Sequence, residues 1–133
     1  MLFRSVRTAL HMCFGYACLG GGPKPNSYEY LAELVDSRID EISIEAAQPN
    51  LDLTILKRLG GKTVALGVLD HSTAEPEPPE VIAGRIRAAL AYLPPERLMP
   101  SPDCGMKYMS RAEAFARLRS LSDGAVIVRR EIS

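Results

Sequence analysis

One histidine and one cysteine stand two residues apart, as His11-Met12-Cys13. Alternate residues of a β-strand point to the same side, so an imidazole and a thiolate at this spacing would form half of a tetrahedral zinc site. The alternative is a buried, hydrogen-bonded His11 beside Cys13 acting as a small apolar core residue. From this pair alone, the second interpretation is the more common one.

Two further residues could complete a metal site. Glu45 directly follows the apolar run Ile42–Ile44, and a buried carboxylate is costly unless it pairs with a cation or a metal. Cys104 follows a later extended run, and the carboxyl ends of parallel strands lie at one edge of an α/β sheet. Nitrogen, sulfur and carboxylate donors together suit tetrahedral zinc. The residues that can converge in this way are His11, Cys13, Glu45 and Cys104.

The third cysteine, Cys18, lies close to the glycines at 20–22 and is predicted to be a free spectator thiol. Those glycines do not follow a strand directly and lack a phosphate-binding spacing. Three unevenly spaced cysteines argue against a disulfide scaffold and favour a reducing, cytoplasmic location.

Elements that would position these residues alternate along the chain. Strands are predicted over residues 6–14, 42–44, 63–69 and 97–102, and the third is apolar enough to be covered on both faces. Helices are predicted from Asn26 or Ser27 onward, from Asp52 to Leu59, over 80–93 and over 110–122. The tail 125–128 is either a fifth strand or an extension of the last helix. This order predicts an α/β fold of four consecutive parallel βα units with right-handed crossovers.

Each predicted helix carries an apolar face. The residues assigned to these faces are Tyr30, Leu31, Leu34 and Val35; Leu53, Leu56 and Leu59; Val81, Ile82, Ile86, Ala89, Leu90 and Leu93; and Ala114, Phe115, Leu118 and Leu121.

Composition excludes several classes of protein. The 133 residues include 16 Lys and Arg against 16 Asp and Glu, so the chain lacks the cationic excess of a nucleic-acid binder. Its 47% hydrophobic content supports a globular core, and no apolar stretch is long enough to cross a membrane. The length predicts a single domain over 1–133.

Four segments in order resemble a known family: residues 9–15 (ALHMCFG), 42–45 (ISIE), 67–70 (GVLD) and 102–107 (PDCGMK). Together they resemble the C-terminal catalytic part of cobalamin-independent methionine synthase, including its shorter relatives. The resemblance implies a (β/α)8 barrel, Zn²⁺ bound by His11, Cys13, Glu45 and Cys104, and a homocysteine thiol activated for methyl transfer from a methyltetrahydrofolate. A related branch activates the thiol of coenzyme M instead.

The resemblance also implies a role for His71. In the family a histidine of the corresponding loop transfers protons, although it stands two residues after the aspartate and here follows Asp70 directly. The alternative is a solvated loop histidine. Asp70 and Asp103 are predicted to orient a loop or a metal ligand rather than to bind the metal.

The length accounts for about half of a barrel, which needs about 250 residues. Four parallel strands alone would leave two sheet edges and the apolar barrel interior uncovered. We therefore expect self-association or a partner that supplies the missing half. A fragment of a longer enzyme and a non-catalytic zinc-binding half-barrel are the alternatives.

Overall fold

The computed structural model describes residues 6–15 and 23–133. Its four strands form one parallel sheet in chain order, which confirms the predicted topology. They are β1 (Ala9–Met12), β2 (Glu41–Ile44), β3 (Thr63–Leu69) and β4 (Leu98–Pro102). The first strand is shorter than predicted, because pairing with β2 covers only four residues.

The two faces of the sheet differ in character. Leu10, Ile42, Val64 and Leu98 are register partners across the four strands. Ile42 and Val64 lie in the hydrophobic core, and Leu98 packs against it. On the other face the corresponding row is His11, Ser43, Ala65 and Met99. This row is less apolar than the barrel interior that the sequence predicted, because Met99, which is 43% exposed, is its only large apolar residue.

Short 3₁₀ helices make the first two connections; the first is shorter than the sequence predicted, and the second nearly matches its predicted range. They run over Leu31–Asp36 and Leu53–Arg58, and a third covers Pro95–Arg97. The predicted helix start at Asn26 or Ser27 is wrong, because the Tyr28 side chain turns into the core and the helix is capped at Tyr30. Tyr30 is 71% exposed and does not belong to the buried face. The second helix begins as predicted, with the Asp52 carboxylate accepting the Thr54 N–H.

Two α-helices cover the second half of the sheet: α1 (Pro79–Leu90) and α2 (Arg111–Ile132). Helix α1 ends at Leu90, three residues earlier than predicted. Leu93 precedes Pro94, and a proline disfavours helical geometry in the residue before it. Val81, which the spacing places on the buried face, is 43% exposed. None of the helices in the described ranges is long and apolar enough to span a membrane.

Helix α2 continues to Ile132, so the tail extends the helix instead of forming a fifth strand. The face predicted for it is wrong in part: Phe115 is 69% exposed and Leu118 is 45% exposed. The buried residues of the helix are Arg117, Gly124 and Val128. Gly124 packs against α1, and Arg117 contacts the loop after β3. Neither is a large apolar residue, so hydrophobic spacing does not predict them.

Gly124 sets the approach of the two helices, since a Cβ there would lie 2.8 Å from the Pro79 carbonyl oxygen and 2.9 Å from Ile82 Cβ. We expect Gly124→Ala to destabilise the protein by about 1–3 kcal/mol through overpacking. A Cβ added at Gly84, in α1, would meet nothing within 4 Å. Gly84→Ala should therefore stabilise by about 0.5–1 kcal/mol, because alanine favours helix. Urea denaturation of both variants checks the opposite signs, and equal shifts would contradict the close packing at Gly124.

Candidate metal centre

Three of the four predicted donors meet at the end of the sheet where the carboxyl ends of the strands lie. His11, Cys13 and Cys104 place one ligand atom each within 4.8 Å of the others. The two sulfur atoms are 3.3 Å apart, and the Cys104 Sγ is 3.8 Å from His11 Nε2. Both cysteines are free thiols. Two sulfurs and an imidazole nitrogen are donors that zinc prefers.

This meeting depends on the loops that follow the strands. Strands β1 and β4 are the two edges of the sheet and would lie roughly 14 Å apart if it were flat, at about 4.8 Å per strand. Cys13 directly follows β1, Cys104 lies two residues after β4, and their sulfur atoms approach to 3.3 Å. A register shift between Gly67 and Leu69 interrupts the β3–β4 pairing there. Irregularities of this kind bend and twist a sheet, which helps its edges to approach.

His11 is oriented by its partner in the register. Ser43 lies directly opposite His11 on β2, and its Oγ is 2.9 Å from His11 Nδ1. This hydrogen bond occupies one ring nitrogen and leaves Nε2 on the side of Cys104. A hydrogen bond to the second nitrogen is the usual means of fixing the ring of a metal-binding histidine.

Glu45 is fully buried beside the three donors. Its Oε1 accepts a hydrogen bond from the Cys13 thiol at 3.1 Å, and its Oε2 pairs with Lys24 Nζ at 2.8 Å. The Tyr28 hydroxyl accepts the Glu45 N–H at 3.0 Å and donates to the Met12 carbonyl at 3.1 Å. The buried acid therefore has the cation that its burial requires. The role of Glu45 as the fourth ligand stays a prediction.

The Cys13 thiol is held in its protonated form. Burial raises its pKa to about 12, and the hydrogen bonds to Glu45 and Cys104 act in the same direction. The Gly15 N–H, 3.1 Å from the sulfur, acts in the opposite direction. Because metals bind the thiolate, a metal that binds here displaces this proton.

His71 contacts the backbone of a predicted ligand. Its Nε2 is 2.8 Å from the Cys104 carbonyl oxygen and 3.1 Å from the Cys104 nitrogen. Its Nδ1 is buried and has no hydrogen-bond partner among residues 6–15 and 23–133. The ring is therefore not the solvated loop histidine of the alternative interpretation, while its catalytic role stays a prediction.

The two aspartates predicted to act as orienting groups do so in different ways. Asp70 organises its own loop, since its Oδ1 accepts the Ser72 N–H and hydroxyl, both at 2.7 Å. Asp103 is fully buried and accepts backbone hydrogen bonds from the loop after β2. Burial raises the pKa of the Asp103 carboxyl, and these N–H donors oppose the shift.

Arg117 on α2 fixes the loop that carries His71. It is 1% exposed, and its guanidinium donates to the Asp70 carbonyl at 3.2 Å, to Thr73 Oγ1 at 2.9 Å and to the Thr73 carbonyl at 2.6 Å. This residue was not predicted from the sequence, and neither were Lys24 and Ser43. Ser43 could have been found from strand alternation with Glu45, whereas no local pattern singles out Lys24 or Arg117. Cys18 and the glycines at 20–22 lie outside the described residues.

Comparison with known proteins gives one consistent result. The family described as "Cobalamin-independent synthase, Catalytic domain" matches residues 6–126. The chain is 35% identical over 130 residues to a methionine synthase of Thermococcus kodakarensis, and 31% identical over 129 residues to one of Pyrococcus abyssi. These matches cover 96% of this chain and 35% of each relative. The chain thus spans about a third of the length of these curated relatives.

A solved structure has the same fold. It is a B12-independent methionine synthase from Shewanella sp. W3-18-1 in complex with selenomethionine, with a TM-score of 0.84 and 32% identity. The match covers 95% of this chain and 39% of that one. The parallel sheet and its helices thus correspond to consecutive units of a (β/α)8 barrel, as the sequence predicted.

Proposed function

The chain belongs to the cobalamin-independent methionine synthase family, and from this premise we propose that it is a zinc-dependent methyltransferase module that activates the thiol of homocysteine. The methyl donor would be a methyltetrahydrofolate and the product methionine. The observation that carries the proposal is the convergence of His11, Cys13 and Cys104 within 4.8 Å. The selenomethionine in the complex of the Shewanella relative, a selenium analogue of the product, supports this substrate class.

His11, Cys13 and Cys104 would hold the zinc, with Glu45 as the fourth donor. Zinc bound by this set would keep a substrate thiol in its thiolate form at neutral pH, where a free thiol with a pKa of about 8.5 is mostly protonated. Two cysteine sulfurs donate charge toward the metal position and so preserve the nucleophilicity of an incoming thiolate. The remaining residues hold these donors in place.

Glu45 is the donor that we expect to leave when a thiol binds. A carboxylate is the hardest of the four ligands, and the incoming sulfur is soft. Release into a buried space would normally leave an unpaired charge. Lys24, with Nζ 2.8 Å from Oε2, provides the partner that stabilises the released carboxylate.

The rest of the barrel would come from a second copy or another polypeptide, or from further sequence of the same protein. Within residues 6–15 and 23–133, the outer edges of β1 and β4 pair with no further strand, which supports this proposal. Free thiols at the donor positions agree with a reducing, cytoplasmic location. Sedimentation of the chain alone, before any binding experiment, establishes which assembly is being measured.

The test of the function is thiol binding to the zinc-loaded protein, completed with its partner half if sedimentation identifies one. We expect homocysteine to bind with release of a proton, because the thiol arrives protonated and is held as thiolate. Calorimetry in buffers of different ionisation enthalpy measures this proton. X-ray absorption at the zinc edge should count sulfur neighbours rising from two to three.

Methionine is the matched control, since it has the same amino-acid part but no thiol. Coenzyme M tests the related branch: its binding in place of homocysteine would assign the other thiol as substrate. Equal binding of homocysteine and methionine, with no proton released and an unchanged zinc shell, would mean that the zinc is structural. The non-catalytic half-barrel would then be the better account.

A further inference from the structure

The Asp103 carboxylate joins two loops that carry predicted ligands. It is 0% exposed, its Oδ1 accepts the N–H groups of Ala46 and Ala47 at 3.1 and 3.0 Å, and its Oδ2 accepts the N–H of Gln48 at 2.7 Å. These three amides directly follow Glu45, and Asp103 directly precedes Cys104. One side chain thus connects the end of β2 to the end of β4, across the intervening strand β3.

Gly67 of β3 provides the space for this contact. A Cβ at position 67 would overlap Asp103 Oδ1 and would lie 2.7 Å from Asp103 Cα, which is backbone and cannot rotate away. The Asp103 N–H also donates to the Leu69 carbonyl at 3.3 Å, so its backbone is fixed to the same strand. The position of the Asp103 carboxylate therefore requires glycine at position 67, because any larger side chain there would displace Asp103.

We propose that Asp103, seated on Gly67, is a positioning residue that sets the separation between Glu45 and Cys104. The chemistry requires a carboxylate, because both of its oxygens face N–H donors and neither position admits an NH₂ group. Hydrogen bonds to an ionised acceptor are shorter and stronger than neutral ones, which suits a contact that has to hold two loops in register. The inference rests on the proposed function only in that these donors bind a metal.

Asp103→Asn tests it with the smallest change, since it replaces one accepting oxygen by a donor that confronts a backbone N–H. Titration with Co²⁺, a spectroscopic substitute for zinc, measures affinity and the thiolate-to-cobalt charge-transfer band. We expect affinity to fall about 10- to 100-fold, as when other residues that orient metal ligands are changed, and the d–d spectrum to change with the coordination geometry. Asp52→Asn is the matched control, because Asp52 also accepts a backbone N–H, from Thr54 at 3.0 Å, outside the site.

Gly67→Ala reaches the same carboxylate by steric displacement and should reproduce the spectral change. Gly61→Ala, where a Cβ meets nothing within 4 Å, is its control. Should Asp103→Asn fail to fold, the Gly67→Ala spectrum decides. A variant that loses stability but binds Co²⁺ with the parent affinity and spectrum would overturn the positioning role and leave only a structural contact. Failure of homocysteine to bind the parent would count against the proposed function while leaving these cobalt spectra as they are.

Discussion

Replacing Cys104 by serine should lower the zinc affinity of the chain by at least about 100-fold, since altering residues that merely orient metal ligands already costs about 10- to 100-fold. A hydroxyl is a harder and less acidic donor than a thiol and replaces thiolate poorly. Cys104 Sγ lies 3.3 Å from Cys13 Sγ and 3.8 Å from His11 Nε2, so the substitution removes one of the three donors that converge in the described part of the chain. Competition with a chromophoric chelator measures the affinity.

Cys18→Ser is the matched control, since it makes the same chemical change at the cysteine predicted to be a spectator. We expect it to retain zinc like the parent chain. Undiminished zinc in Cys104→Ser and Cys13→Ser, or a loss confined to Cys18→Ser, would overturn the assignment of the metal centre.

The sequence predicted those residues of the candidate site that lie at the ends of strands. His11, Cys13 and Cys104 follow or end apolar runs, and parallel strands bring such residues to a common edge. Lys24 could not be predicted, because its partner Glu45 lies 21 residues away and nothing in the sequence around either residue specifies the contact. The complete donor set and its chemistry came from the family resemblance rather than from spacing.

The fold, too, was predicted in part. Strand β3 was predicted to the residue, because seven consecutive residues, apolar but for the leading threonine, in a short run between turns leave few alternatives. The buried face of α2 was predicted incorrectly, because Phe115 and Leu118 have the apolar character of core residues but lie on the outer side. The buried face instead contains Arg117, which donates hydrogen bonds to the loop after β3, and Gly124, which allows close packing against α1.

Arg117→Met should destabilise the protein by about 1–3 kcal/mol, the cost of leaving a buried hydrogen-bonding group unsatisfied. Methionine retains the apolar stem but removes the guanidinium donors, so the Thr73 carbonyl loses its hydrogen bond and the Asp70 carbonyl keeps only the bond from the Thr73 hydroxyl. Urea denaturation of the metal-free chain measures the loss.

Arg119→Met is the control for this change. Arg119 lies on the same helix, is 76% exposed at its side chain and makes one long ion pair of 3.9 Å with Asp123. Exposed pairs of this kind contribute about 0–1 kcal/mol, so the control should differ little from the parent. Equal denaturation midpoints for the two variants would show that the buried guanidinium does not stabilise the loop.

The sequential order of the strands also determines when the metal centre can exist. Cys13 and Cys104 are 91 residues apart and lie just beyond the first and last strands of the described sheet, so the position of one sulfur relative to the other depends on every strand pair between them. During synthesis the ribosome releases His11 and Cys13 long before Cys104, and the early part of the chain holds at most part of the donor set. A metal bound by both cysteines closes a loop whose cross-linking is worth roughly 4–5 kcal/mol by analogy with a disulfide. We therefore expect metal to bind after the sheet has formed and to stabilise it.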